Sequence, residues 1–190
     1  GPAFLFDLDG TLVDTTAAYV TAWNELIGPK GAFVDEEFFL THISGKSDKQ
    51  VSKRFNIAIS SAEKDERFVR YIASTKAIPG AVEFVRKCQE RGQVCIVTNS
   101  NETAAKALLK RLGLDDLPLI SSDDCKNGKP DAEPYNRAVR RLGVSISNSI
   151  VFEDSRTGMI AGRAAGCKYV VSVSNNLAGS DTYLKNYLEE

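Results

Sequence analysis

The chain has 190 residues, enough for one domain and part of a second. At that length roughly 70% of the unfolded surface can be buried, with no need of a disulfide or metal staple. With 43% hydrophobic residues, 26% charged residues and a formal net charge of −1, it excludes wholesale disorder, fibrous architectures and a global positive field for nucleic acid or an anionic membrane. Its apolar runs fall far short of the ~20 residues of a membrane span.

The first predicted strand covers residues 3–6 and runs into an acidic loop, Asp7-Leu8-Asp9-Gly10-Thr11. Residues 15–77 then show helical patterns and no convincing strand. Val20, Trp23 and Ile27 share one helical face, and Val51 pairs with Phe55. Ser47-x-x-Gln50 and Ser60-x-x-Glu63 have the spacing of capping boxes, each marking a helix start. A helical insert behind the first strand is a candidate lid, with hinges near 14–16 and at 78–80, where Pro79-Gly80 punctuates the chain.

From Ile78 onward a rhythm repeats: helix, glycine, apolar strand, polar loop. Ala105, Leu108, Leu109 and Leu112 form one helical stripe, and Tyr135, Ala138, Val139 and Leu142 form another. Gly92, Gly113, Gly143 and Gly166 suit left-handed helix caps. Strands are expected over 94–97, 117–120, 149–152 and 169–173. Alternating strands and helices predict an α/β fold, a Rossmann-like parallel sheet with helices on both faces. The helical insert completes it as a second, smaller unit.

His42 is the single histidine, so a two-histidine metal site is excluded, and its segment reads as structural. The four cysteines form no C-x-x-C pair. No secretory leader is recognisable, and a reduced, cytoplasmic protein is expected.

Ligands of open parallel sheets bind beyond the carboxyl ends of the strands. The polar residues found there are Asp7 and Asp9, then Thr98-Asn99-Ser100, then Glu153-Asp154-Ser155, with Asn127-Gly128-Lys129-Pro130 nearby. Several carboxylates packed together repel unless a cation neutralises them, and all-oxygen ligands suit Mg²⁺. An ionised aspartate can attack phosphorus. A second aspartate kept partly protonated by acidic neighbours can serve as general acid and base. Lysine and threonine supply the charge and hydrogen bond that a transferring phosphoryl group requires.

Phe6-Asp7-Leu8-Asp9-Gly10-Thr11-Leu12-Val13-Asp14, Val97-Thr98-Asn99-Ser100, Lys129-Pro130 and Val151-Phe152-Glu153-Asp154-Ser155 stand in order along the chain. Together they resemble the four motifs of the haloacid dehalogenase superfamily, in its beta-phosphoglucomutase-like phosphatase branch. The resemblance implies that Asp7 is the nucleophile and a Mg²⁺ ligand. It makes Asp9 the general acid/base, with its backbone carbonyl on the metal. Thr98 and Lys129, with Gly10 and Asn99, would hold the phosphoryl group, and Asp154 with Glu153 beside it would complete the metal site. Residues 15–77 match the family's helical cap, leaving 1–14 and 78–190 as the core. Tyr19, Lys46 and Ser47 are the cap residues nearest the substrate's leaving portion.

Thr11 and Asp9 point away from dehalogenation and toward phosphoryl transfer. Gly158 stands where similar glycolate-phosphate phosphatases carry a further aspartate. Tyr19 and Asp48 stand where the mutase carries a histidine and an arginine, which favours a sugar-phosphate phosphatase over a hexose-phosphate mutase. A non-catalytic phosphometabolite binder would gain nothing from juxtaposing Asp7 and Asp9. Asp-x-Asp-Gly lacks the later acids of a calcium loop, and Gly45-Lys46-Ser47 lacks the strand and first glycine of a P-loop. The expected partner is a small phosphorylated metabolite, bound by a monomer without nucleic acid or membrane.

Overall fold

The computed structural model describes residues 1–188. In chain order the main elements are β1 (Ala3–Phe6), β2 (Val13–Asp14), α1 (Thr16–Ile27), α2 (Glu36–His42), α3 (Asp48–Phe55), α4 (Ser61–Arg70) and β3 (Lys76–Ala77). They continue as α5 (Ala81–Arg91), β4 (Gln93–Val97), α6 (Glu102–Leu112), β5 (Leu119–Ile120), α7 (Glu133–Leu142), β6 (Ser149–Glu153), α8 (Arg156–Ala165), β7 (Tyr169–Val173) and β8 (Thr182–Leu184). Six strands form one sheet in the order β5-β4-β1-β6-β7-β8, with every neighbouring pair parallel.

Strand β1 is apolar throughout, and β4 and β6 are apolar between their end residues, because helices cover both sheet faces. Successive side chains alternate between the two faces. Ala3, Leu5, Cys95, Val97 and Val151 therefore pack with Tyr135, Ala138 and Val139 of α7 and with Met159 and Ala161 of α8. Phe4, Phe6, Val94, Ile96 and Phe152 pack with Val85 and Cys88 of α5 and with Leu108 and Leu109 of α6. Phe6 stacks on Phe152 with ring centroids 4.3 Å apart. Each such buried aromatic contributes about 1.5–3 kcal/mol.

Phe6 pairs with Ile96 on one side and with Phe152 on the other. Asp7, Val97 and Glu153 therefore leave the three central strands at one level. That register builds the rim.

Helices α1 to α4 form the insert. Tyr19 of α1 stacks on Phe68 of α4 (4.1 Å between centroids) and on Phe39 of α2 (5.9 Å). The Ser47–Gln50 capping box is complete at α3, and the Ser60 hydroxyl accepts from the Glu63 backbone N–H at α4. Asn101 caps α6 and Ser155 caps α8, while Gly113, Gly143 and Gly166 end their helices at positive φ.

Four expectations change. Gly92 is no left-handed cap: its φ of −178° is extended, and a Cβ there would run into the Pro2 carbonyl, so close approach of the chains explains the glycine. Residues 117–118 are not strand, and β5 is only Leu119–Ile120. Within 15–77 a strand does exist, because β3 pairs antiparallel with β2 through Val13–Ala77 and Asp14–Lys76. A sixth strand, β8, adds to the sheet edge. The buried or half-buried cysteines are all free thiols, and His42 lies against Phe38 and Arg54. Among the described residues no helix is long and apolar enough to cross a membrane.

Candidate active site

Asp7 follows β1 directly, and its backbone N–H donates to the Phe152 carbonyl at 3.0 Å. The carboxylate of Asp7 is buried. Lys129 Nζ donates to Asp7 Oδ1 (2.9 Å), to Glu153 Oε2 (2.6 Å) and to the Val97 carbonyl (2.7 Å), which satisfies all three ammonium donors. Burial alone would discharge Lys129, but the Asp7 and Glu153 charges outweigh it and hold the ammonium above its usual range. The Thr11 hydroxyl lies between two acids, 3.1 Å from Asp7 Oδ2 and 3.2 Å from Asp154 Oδ1.

Asp7, Glu153 and Asp154 each offer an oxygen within 4.8 Å of the other two. Glu153 is fully buried. Its Oε2 accepts from Lys129 and from the Tyr135 hydroxyl, whereas its Oε1 is buried without a partner. Burial and then the charge of Asp7 push Glu153 up to about 8 and hold Asp154 well above the usual carboxylate range. Two glycines make room for these acids. A Cβ on Gly10 (φ +82°) would run into the Asp154 carboxylate, and one on Gly158 would run into that of Glu153. An orphaned buried carboxylate oxygen among three clustered acids fits a hard divalent cation with oxygen ligands.

Asp9 points elsewhere. Thr15 Oγ1 donates to its Oδ1 (2.9 Å) and Ser100 Oγ to its Oδ2 (2.8 Å), so its carboxylate lies outside the three-acid cluster. Burial, then the charge of Asp7, raises its pKa, against the two hydroxyls and the charge of Lys64.

Thr98 is buried and its hydroxyl accepts from the Ser100 N–H at 3.0 Å. Asn99 exchanges bonds with the Lys129 backbone: Lys129 N–H donates to Asn99 Oδ1 (2.8 Å), and Asn99 Nδ2 donates back to the carbonyl (3.1 Å). The same amide nitrogen donates to the Gly45 carbonyl of the insert at 2.7 Å.

Between this rim and the insert lies a cavity of about 760 Å³. Asp7, Asp9, Gly10, Thr98, Asn99, Lys129, Glu153 and Asp154 meet there, joined from the insert by Tyr19 and Lys46. The Tyr19 hydroxyl is 3.5 Å from Ser100 Oγ. Burial, then Arg54, lowers the pKa of half-buried Lys46. Ser47 is not on the cavity wall; its hydroxyl serves the α3 capping box instead.

Ser100, Tyr135 and Lys64 were given no site role by the sequence, and Asp48 was noted only as standing where the mutase carries an arginine. Ser100 was noted only as part of a strand-end cluster. Tyr135 registers in helical periodicity only as a core residue. Lys64 and Asp48 form a buried ion pair on the insert side of the cavity. The available signal for Lys64 was its place four residues before Phe68, on the same buried face of α4.

Residues 2–166 match the family model of the haloacid dehalogenase-like hydrolases. Hexitol phosphatase A of Escherichia coli is 32% identical over 90% of this chain and 82% of its own. 2-Deoxyglucose-6-phosphate phosphatase 1 of Saccharomyces cerevisiae is 33% identical over 85% of this chain and 76% of its own. CbbY from Rhodobacter sphaeroides, solved in complex with phosphate, superposes with a TM-score of 0.87 at 25% identity, covering 99% of this chain and 95% of that one. Four motifs on one sheet rim and a match over most of the chain agree: this protein belongs to the haloacid dehalogenase-like hydrolases.

Proposed function

We propose that the chain is a Mg²⁺-dependent phosphatase that hydrolyses a small phosphomonoester, a sugar phosphate, through an aspartyl-phosphate on Asp7. The observation that carries this reading is the setting of Asp7. It is a buried carboxylate on the cavity floor, gripped by Lys129 and Thr11, with a second carboxylate two residues on whose pKa burial and the charge of Asp7 raise. Phosphatases among the relatives support the substrate class.

A carboxylate oxygen of Asp7 attacks phosphorus, and the bond from phosphorus to the ester oxygen breaks. Asp9 in its protonated form gives its proton to that departing oxygen. It then takes a proton from the water that attacks the same phosphorus, releasing phosphate and restoring Asp7. The Lys129 ammonium and the Thr98 hydroxyl stabilise charge on the transferring phosphoryl group, and the backbone at Gly10 and Asn99 shapes its seat. Asp7, Asp154 and Glu153, with the Asp9 backbone carbonyl, are the ligands that would hold Mg²⁺. When bound, the ion offsets the mutual repulsion of these acids and of the phosphoryl oxygens. Residues 15–77 act as a cap that excludes bulk water and brings its side chains against the leaving portion of the substrate.

Hydrolysis of p-nitrophenyl phosphate, dependent on added Mg²⁺ and abolished by chelation, is the expected result. Phosphate binding with no turnover under any metal would overturn the reading in favour of a non-catalytic binder. A panel of phosphorylated sugars and polyols then identifies the ester.

A further inference from the structure

On the insert side of the cavity, opposite Asp7 and Asp9, the side chains of Lys64 and Asp48 face each other as an ion pair, 4% and 16% exposed. Lys64 lies over the rings of Tyr19 and Trp23, each 5.9 Å from its nitrogen. A second carboxylate, Asp65, stands 3.7 Å from the same nitrogen. Lys64 therefore has no spare positive charge: one ammonium faces two acids. Asp48 is itself anchored, accepting from Ser61 Oγ (2.7 Å) and from Asn101 Nδ2 of the core (3.3 Å), while Asp65 accepts from the same Asn101 amide at 3.0 Å. The pair is thus fixed against both α4 and the start of α6.

Lys46, the other insert lysine on the wall, has no ion-pair partner among the described residues. Its neighbour Gly45 is bonded through its carbonyl to Asn99, beside Lys129. Of the two insert lysines on the wall, Lys64 is the one whose charge is neutralised by neighbouring carboxylates.

Resting on the phosphatase reading, we propose that the Asp48–Lys64 pair is a charge filter on the leaving group. It admits a neutral polyhydroxylated alcohol and turns away a leaving group that carries a second anion, whether carboxylate or phosphate. The chemistry is direct. An ammonium donates, a carboxylate accepts, and each hydroxyl of a diol does both, so adjacent hydroxyls can serve the two ends of the pair at once. A carbon skeleton can lie against Trp23 and Phe39, which line the same wall. An anion would compete with Asp48 for a lysine that already has its counter-ions, and would meet like charge at short range. Rejection is built from repulsion as much as from missing contacts.

Sorbitol 6-phosphate and 6-phosphogluconate make the test, because they share a six-carbon polyhydroxylated chain and differ at the far end in hydroxymethyl against carboxylate. The wild-type enzyme should favour the neutral ester by at least about tenfold in kcat/KM. Fructose 6-phosphate should be favoured over fructose 1,6-bisphosphate in the same sense. Asp48→Asn frees Lys64 of its nearest counter-ion and should shift both ratios toward the ester that carries a second anionic group by about tenfold. The wild-type ratios need no variant, so a failure of Asp48→Asn to fold leaves the test standing. Equal kcat/KM within each pair, preference for the acid, or unchanged ratios in folded Asp48→Asn overturns the filter. Turnover of p-nitrophenyl phosphate without turnover of either neutral ester also overturns it, while leaving the phosphatase reading intact. No turnover of any ester removes the phosphatase reading beneath it.

Discussion

The sheet rim and the insert wall face each other across one cavity, yet they hold their charges differently. On the rim, Lys129 is locked by three acceptors, two of which belong to the acid cluster itself, and one carboxylate oxygen, Glu153 Oε1, is left without a partner. On the insert wall, Lys64 is closed off by Asp48 and Asp65, and no buried oxygen of that trio lacks a partner among the described residues. The rim leaves a buried carboxylate oxygen without a donor, and the wall leaves its ammonium with counter-charge on two sides. An open valence among acids calls for a cation, whereas a closed pair offers hydrogen bonds without net attraction for charge.

Removing the rim's central carboxylate should do the most damage. Asp7→Asn is expected to drop turnover below about a hundredth of wild type in a folded protein, since an amide is a poor nucleophile. Steady-state kinetics beside a circular dichroism spectrum decides it, and higher residual activity would move the nucleophile elsewhere. Asp9→Asn should slow turnover by on the order of 10²–10⁴-fold on alkyl phosphates and by less on p-nitrophenyl phosphate, whose leaving group needs no proton. Equal losses on both esters would reduce Asp9 to a loop residue.

Tyr135→Phe sharpens the contrast without touching a rim carboxylate. Losing the hydroxyl that fixes Glu153 Oε2 should weaken Mg²⁺ by about 10–100-fold. The rise of Tm with added Mg²⁺ reports this independently of turnover, and an unchanged titration would separate Tyr135 from the metal site. Lys46→Ala should raise KM for a sugar phosphate by on the order of threefold, and for p-nitrophenyl phosphate by less. Identical effects on the two would remove Lys46 from recognition of the leaving portion.

The smallest effect belongs to the approach to Lys129. Glu133 accepts from Arg137 and from the backbone N–H groups of Lys126 and Asn127, and these bonds, Arg137 first, depress its pKa from 4.5 to about 2. A depressed folded-state pKa stabilises the protein above the unfolded value, and that stability fades as pH falls toward the folded one. Glu133→Gln should therefore lower Tm at neutral pH by on the order of 2 °C. The gap to wild type should close between pH 4.5 and about 2. A constant gap across that range would mean that the carboxylate charge contributes nothing.

Legibility in the sequence followed the same divide. Ala3–Phe6 and Tyr169–Val173 were readable because a strand covered on both faces is a mostly apolar run. Asp7, Thr98 and Asp154 were readable because a parallel sheet sends its strand ends to one rim, and Lys129 through the motif it forms with Pro130. Lys64 was not: a lysine on a helix reads as solvated until Asp48, sixteen residues earlier, is known to meet it. Ser100 meets Asp9 across 91 residues of chain, and Tyr135 meets Glu153 across 18, contacts that no local pattern carries. β2, β3 and β8, of two, two and three residues, are too short to show alternation, and their pairing partners decide them.

The β2–β3 ribbon has a consequence for how such a chain could be rebuilt. The polypeptide leaves the sheet at Val13–Asp14 and returns at Lys76–Ala77 through strands bonded side by side. Everything between these two strands is therefore a graft on a single stem. Its two ends stay adjacent whatever is spliced there, because closing a loop depends only weakly on its length. A differently shaped helical cassette, sewn onto the same stem, would present new side chains to an untouched catalytic floor, so selectivity could be exchanged wholesale while the chemistry is inherited.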